Sequence, residues 1–110
     1  MINPSDEAVI SEFKSKLPQR ILSHLKKLIV FGSRTKGNHS EDSDLDMIAL
    51  VDEKNFDLEK ELDEIAYQVM WDHDFKPMIS LKVFAEKKFY YAVQKGFSFY
   101  RQVDRDGIAI

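Results

Sequence analysis

The chain has no cysteine, so neither a disulfide framework nor a thiolate zinc site can hold it together, and a reducing compartment suits it. It also lacks a basic excess: 16 Lys and Arg stand against 19 Asp and Glu, for a formal charge of −3. Domains that coat nucleic acid usually carry a broad basic surface, so direct nucleic-acid binding is not expected beyond a local patch. The opening MINPSDEAV has no long apolar run and no basic flank, which argues against a secretory signal or a membrane span, and the chain reads as cytoplasmic. No internal repeat, low-complexity segment or linker breaks the 110 residues, so one domain is expected over 1–110.

What is present is a globular balance, 44% hydrophobic and 32% charged, enough for one compact core. Ser5 can cap a helix with Asp6 and Glu7 in its first turn and Val9, Ile10, Phe13 and Leu17 at helical spacing. Pro18 interrupts that pattern, so a break near Leu17 and a second short helical piece carrying Ile21, Leu22 and Leu25 are expected. Lys27 to Phe31 and Met47 to Val51 are apolar runs that read as buried strands. After the polar turn Asp52-Glu53-Lys54-Asn55, a helix from about Asp57 to His73 places Leu58, Leu62, Ile65, Ala66, Val69 and Met70 on one face. Met78 to Phe84 reads as a third strand, with Ile79, Leu81 and Val83 alternating against Ser80 and Lys82. Helices over Glu86–Gln94 and Phe97–Arg105, separated by Gly96, and a last strand Ile108–Ile110 behind Gly107 complete an α+β pattern, a mixed sheet flanked by helices.

The chemistry is concentrated in FGSRTKGNHSEDSDLDMIALV, Phe31 to Val51. A strand ending in Gly32-Ser33 and running into a helical turn offers backbone N–H groups and a small hydroxyl, an arrangement suited to a phosphate. Arg34 and Lys36 add positive charge beside it. Taken alone, a Gly-Ser pair is more often a plain turn. Asp44 and Asp46 are two apart on what should be a strand, so their carboxylates leave one face and can converge on a magnesium ion, which prefers hard oxygen ligands. A lone Asp-x-Asp is usually a solvated strand start, but here it opens an apolar strand, where unpaired charge is expensive. Asp42 shares the register of the two aspartates, although Ser40-Glu41-Asp42-Ser43 reads as a solvated turn. Together these features suggest phosphoryl or nucleotidyl transfer.

Gly32-Ser33, a ten-residue interval and Asp44-x-Asp46 entering an apolar strand resemble the DNA polymerase beta-type nucleotidyltransferase superfamily, and specifically its minimal nucleotidyltransferases. The similarity extends over most of the chain, from the first helix to the ending FYRQVDRDGIAI. The resemblance implies that Gly32 and Ser33 hold the nucleotide triphosphate, with Arg34 and Lys36 adding charge, and that Asp44 and Asp46 bind Mg2+ and carry catalysis. It also implies ATP or another NTP as donor and transfer of AMP to a protein. The partner would be a HEPN-domain ribonuclease toxin that this chain counters as an antitoxin, in a homo- or hetero-oligomer. A small-molecule acceptor such as an aminoglycoside belongs to superfamily members with an additional domain.

One departure matters. Superfamily enzymes commonly place a third carboxylate on a neighbouring strand, yet Met78 to Phe84 contains no Asp or Glu. Asp72, Asp74 and Glu86 flank it and read as helix-end carboxylates. The alternative function is therefore a non-catalytic nucleotide-binding antitoxin. His24, His39 and His73 read as ordinary surface histidines. Trp71 and Tyr67, with Phe89, Tyr90, Tyr91, Phe97, Phe99 and Tyr100, read as core, with a partner-binding patch as the other possibility.

Overall fold

The pattern of β2, Leu45–Val51, decides the architecture, because the side chains of five consecutive residues from Met47 to Val51 are fully buried. A strand apolar on both faces must lie inside a sheet covered on both sides. In the computed structural model, which describes residues 2–35 and 42–110, β2 is flanked by β1, Leu25–Phe31, and β3, Ile79–Ala85. β4, Ile108–Ala109, adds to the outer edge of β1, for a strand order β3-β2-β1-β4. β1 runs antiparallel to β2 and to β4, whereas β3 runs parallel to β2. A parallel neighbour needs a crossover, and the helix α3, Phe56–Asp72, provides it.

Alternation then sorts the core into two layers. Val30, Leu45, Met47, Ala49, Val51, Ile79 and Val83 pack against α1, Pro4–Ser15, and the Leu58–Leu62–Ala66–Val69–Met70 stripe of α3. On the opposite face, Ile29, Ile48 and Leu50 meet Phe89 of α4, Glu86–Lys95, and Val103 of α5, Ser98–Asp106. The protein thus has the α+β fold expected of it, a mixed sheet flanked by helices. Gly96 ends α4 at φ +84°, a conformation that glycine adopts without a side-chain penalty.

Several local expectations are corrected. The first helix is capped by Asn3, whose side-chain oxygen accepts from Asp6 N at 2.8 Å, while Ser5 donates its hydroxyl to the same oxygen. Pro4 at the first helical position has no N–H to satisfy, which favours this earlier start. The piece after Pro18, α2, is only Gln19–Leu22, and Leu25 belongs to β1, where it pairs with Val51. Pairing with a fully buried strand outweighs the weak helical signal there. Asp44 stands one residue before β2 instead of within it. Trp71 and Tyr67 are exposed, 63% and 55%, and close edge-on around Phe75 at centroid distances of 6.0 and 5.5 Å. Their helix already fills its inner face with smaller aliphatics, leaving the rings outside. Phe89, Tyr90, Phe99 and Tyr100 do lie in the second core layer, whereas Tyr91 and Phe97 are exposed.

Candidate active site

The antiparallel pairing of β1 and β2 brings the C-terminal end of one strand beside the start of the other, with Phe31 opposite Asp46. The chain leaves β1 through Gly32 and one 3-10 turn, Ser33–Thr35. Gly32 has φ +89°, and a Cβ built on it would lie 2.6 Å from Asp46 Oδ2. Two independent constraints therefore require glycine there: a left-handed backbone, and a carboxylate lying where a methyl group would go. Thr35 secures the turn by donating its hydroxyl to Gly32 O at 2.7 Å and its N–H to the same oxygen at 3.2 Å. A single turn has little macrodipole, so what it presents to an anion is individual N–H groups and the Ser33 hydroxyl. Gly32, Ser33 and Asp44 are exposed and Asp46 is half-buried.

Gly32→Ala is accordingly expected to cost about 1–3 kcal/mol through the backbone alone and to push the Asp46 carboxylate aside. Thermal melting and divalent-ion titration of the variant would read the two effects separately. Native values in both would show that the close approach is dispensable.

Partial burial pushes the Asp46 carboxyl above its ordinary range; the Lys82 ammonium opposes that shift, and the neighbouring Asp44 carboxylate adds to it. Among the described residues no hydrogen bond is donated to the Asp46 side chain. A partly desolvated carboxylate next to a second, exposed carboxylate suits a hard cation, so the donor set fits magnesium. Asp44 and Asp46 are the residues that would hold it. Among the described residues no third acidic or imidazole side chain joins them in one cluster.

Arg34 is placed differently from the sequence expectation. Its side chain is buried, with Nε and Nη2 donating to the two oxygens of Asp6 at 2.9 and 3.0 Å and Nη1 donating to Ser43 O at 2.8 Å. Asp6, read from sequence as an ordinary first-turn acid, is fully buried. The guanidinium is thus directed into α1 and away from the mouth of the site. It ties the helix, the 3-10 turn and the residue before Asp44 into one unit. Lys36 and His39 lie outside the described residues. His24 and His73 make surface contacts with Asp52 and Glu12. Of the flanking carboxylates, Glu86 is removed from the site, since β3 runs from Ser80 beside Asp46 to Ala85 beside Val51, about 17 Å of strand.

Sequence reasoning missed a cavity beside the turn. Gln102, Val103 and Asp106 of α5 join Phe31, Gly32, Thr35 and Phe99 around a cavity of about 160 Å³. No local signal marks them; β4 pairing onto β1 carries the end of α5 there. A surface hollow of about 790 Å³ lies along α3 between Phe56 and Tyr67. It is on the other side of the sheet from Asp46 and is lined by Glu59, Asp63 and Glu64 with Lys60, a poor surface for a triphosphate. Among the described residues no helix is long and apolar enough to cross a membrane.

A Methanocaldococcus jannaschii protein named "Putative protein adenylyltransferase MJ0604" is 36% identical over 53 residues, 48% of this chain and 52% of that protein. The chain therefore matches about half the length of this curated relative. Residues 8–102, from α1 to within α5, match the nucleotidyltransferase domain family. The span takes in the glycine-serine turn, both aspartates and all three long strands, so this chain belongs to the nucleotidyltransferase domain family, related to the DNA polymerase beta superfamily.

Proposed function

We propose that residues 1–110 act as one nucleotidyltransferase domain that moves AMP from ATP to a hydroxyl of a protein acceptor in the cytoplasm. The observation that carries this reading is the approach of Gly32 to Asp46, since a Cβ there would lie 2.6 Å from the carboxylate oxygen. A phosphate held on the turn would have both aspartates beside it. Asp44 and Asp46 would hold Mg2+, which when bound neutralises phosphate charge and polarises the reacting phosphoryl group. The backbone and hydroxyl of Ser33 would orient the triphosphate, with Lys36 as a further nucleotide-binding candidate. The acceptor oxygen attacks the α-phosphorus, the bond from that phosphorus to the bridging oxygen breaks, pyrophosphate leaves with the electron pair, and the acceptor proton passes to solvent or to a base on the acceptor protein. Positioning and charge neutralisation supply most of the acceleration in such a site.

A protein acceptor is favoured by the name of the archaeal relative and by the exposed rings of Tyr67 and Trp71 around half-buried Phe75, an apolar surface suited to a partner. The partner we propose is a HEPN-type ribonuclease toxin, with this chain as its antitoxin in a hetero-oligomer. β3 favours a second reading, because Ser80 and Lys82 stand where a further carboxylate would complete a two-metal site. On that reading the chain binds nucleotide and blocks the toxin by occupancy alone. Intact mass spectrometry of a HEPN partner incubated with this protein, Mg2+ and ATP distinguishes them. Transfer predicts one or more adenylate additions that disappear with Asp44→Asn. A tight complex without a mass change, and neutralisation that survives Asp44→Asn, would establish the occupancy reading.

A further inference from the structure

β3 walls the site without contributing a carboxylate. Its parallel register sets Ser80 beside Asp46 and Lys82 beside Ile48. Phe84 packs with Ile48 and Leu50, while Ile79, Leu81 and Val83 pack on the other face, so Ser80 and Lys82 leave the sheet on the same side as Asp46. One strand spacing and a two-residue rise put the Lys82 backbone about 8 Å from that of Asp46, within reach of a lysine side chain. Lys82 is exposed, so its ammonium can turn toward Asp46. Among the described residues, Arg34, the other cation near the turn, is engaged with Asp6.

We propose that Lys82 is the second cation of this site: its ammonium supplies, beside Asp46, the positive charge that a second divalent ion would carry, so that the chain takes up one divalent ion with its nucleotide and not two. This rests on the nucleotidyltransferase reading of Asp44 and Asp46 and specifies how many ions that reading admits. Two carboxylates and a triphosphate remain negative after one ion has bound, so a fixed cation on β3 is favourable there. The same ammonium repels a second ion in surroundings where water screens incompletely. Ser80, a neutral hydroxyl, offers no charge to offset that repulsion.

The test uses Mn2+ as a paramagnetic probe and an ATP analogue with a methylene group between the α- and β-phosphates, which cannot be cleaved there. Electron paramagnetic resonance counts bound Mn2+. One ion per chain is expected for the native protein, and two for Ser80→Asp combined with Lys82→Gln. In Lys82→Gln alone, Mn2+ without nucleotide should bind about tenfold tighter because the repulsion is gone, while the analogue binds more weakly; Lys82→Arg should behave as native. Opposite changes for metal and nucleotide are not what a purely structural lysine would produce. Two Mn2+ on the native chain would overturn the proposal, as would unchanged Mn2+ affinity in Lys82→Gln when Asp46→Asn lowers it. Absence of both Mn2+ and analogue binding to the native chain at millimolar concentration would overturn the nucleotidyltransferase reading itself, and this proposal with it.

Discussion

Asp6→Ala is expected to lower the unfolding free energy by about 3–5 kcal/mol, because it leaves the Arg34 guanidinium charged in a site closed to water. Arg34 is 6% exposed and Asp6 0%, and the bidentate pair joins α1 to the turn after β1. Solvent cannot replace the lost carboxylate at such burial. The damage should also reach the site, since Arg34 holds Ser43, two residues from β2 and adjacent to Asp44. Metal and nucleotide affinity should therefore fall with stability, although Asp6 touches neither ligand. Arg34→Met should be similarly costly, whereas the double variant Asp6→Leu/Arg34→Met should recover much of the loss, since it buries no charge. Chemical denaturation of the native protein, Asp6→Leu, Arg34→Met and the double variant gives the coupling directly. A loss below about 1 kcal/mol in Asp6→Ala, typical of an exposed ion pair, would show that the pair is not structurally important.

Asp46→Asn should act in opposite directions on stability and on function. The Asp46 carboxyl is raised by burial, so in the folded metal-free chain its ionisation is unfavourable relative to the unfolded chain. The stability associated with the protonated form is fully present below the unfolded-state pKa and is lost as pH rises through the higher folded-state value. Asparagine never ionises. The metal-free variant should therefore melt above the native protein at neutral pH, and the difference should vanish in acid, where the native carboxyl is protonated in both states. Mg2+ should raise the native melting temperature and leave the variant's nearly unchanged, because only a ligand that binds the folded state stabilises it. Turnover should fall by about 3 kcal/mol or more in transition-state stabilisation, comparable to removing one preorganised electrostatic group. Calorimetry should show ATP binding to the native chain with Mg2+ and not in EDTA. A variant with native Mg2+ response and unchanged turnover would show that Asp46 holds no metal.

The strands and α3 were legible because their signals are local and periodic. Met47 to Val51 is apolar without interruption, and the Leu58–Met70 stripe repeats at the helical period, so each specifies an element wherever it folds. Gly32-Ser33 and Asp44-x-Asp46 were recognisable as candidates because their residue types suit phosphate and magnesium and their spacing spans one strand-to-strand connection. Edges were less legible. Asn3 and Ser5 are equally good caps in isolation, and only the Pro4 between them and the bond to Asp6 N select the first.

Charge was where sequence and structure diverged. Composition and residue pattern established an acidic α+β chain with its candidate chemistry between the first two long strands. They could not assign a partner to any one ionisable side chain, because that depends on which distant segments the sheet brings together. Arg34 reads as a phosphate ligand beside Gly32-Ser33 until α1 packs down and delivers Asp6 to it. Lys82 reads as the polar face of a strand until parallel pairing sets β3 against β2 and aligns Ser80 with Asp46. Trp71 reads as core until smaller residues fill the inner face of α3. Secondary structure follows from neighbours along the chain, but the environment of a charge follows from neighbours in space, and those were decided by the packing of two helical layers on one buried strand.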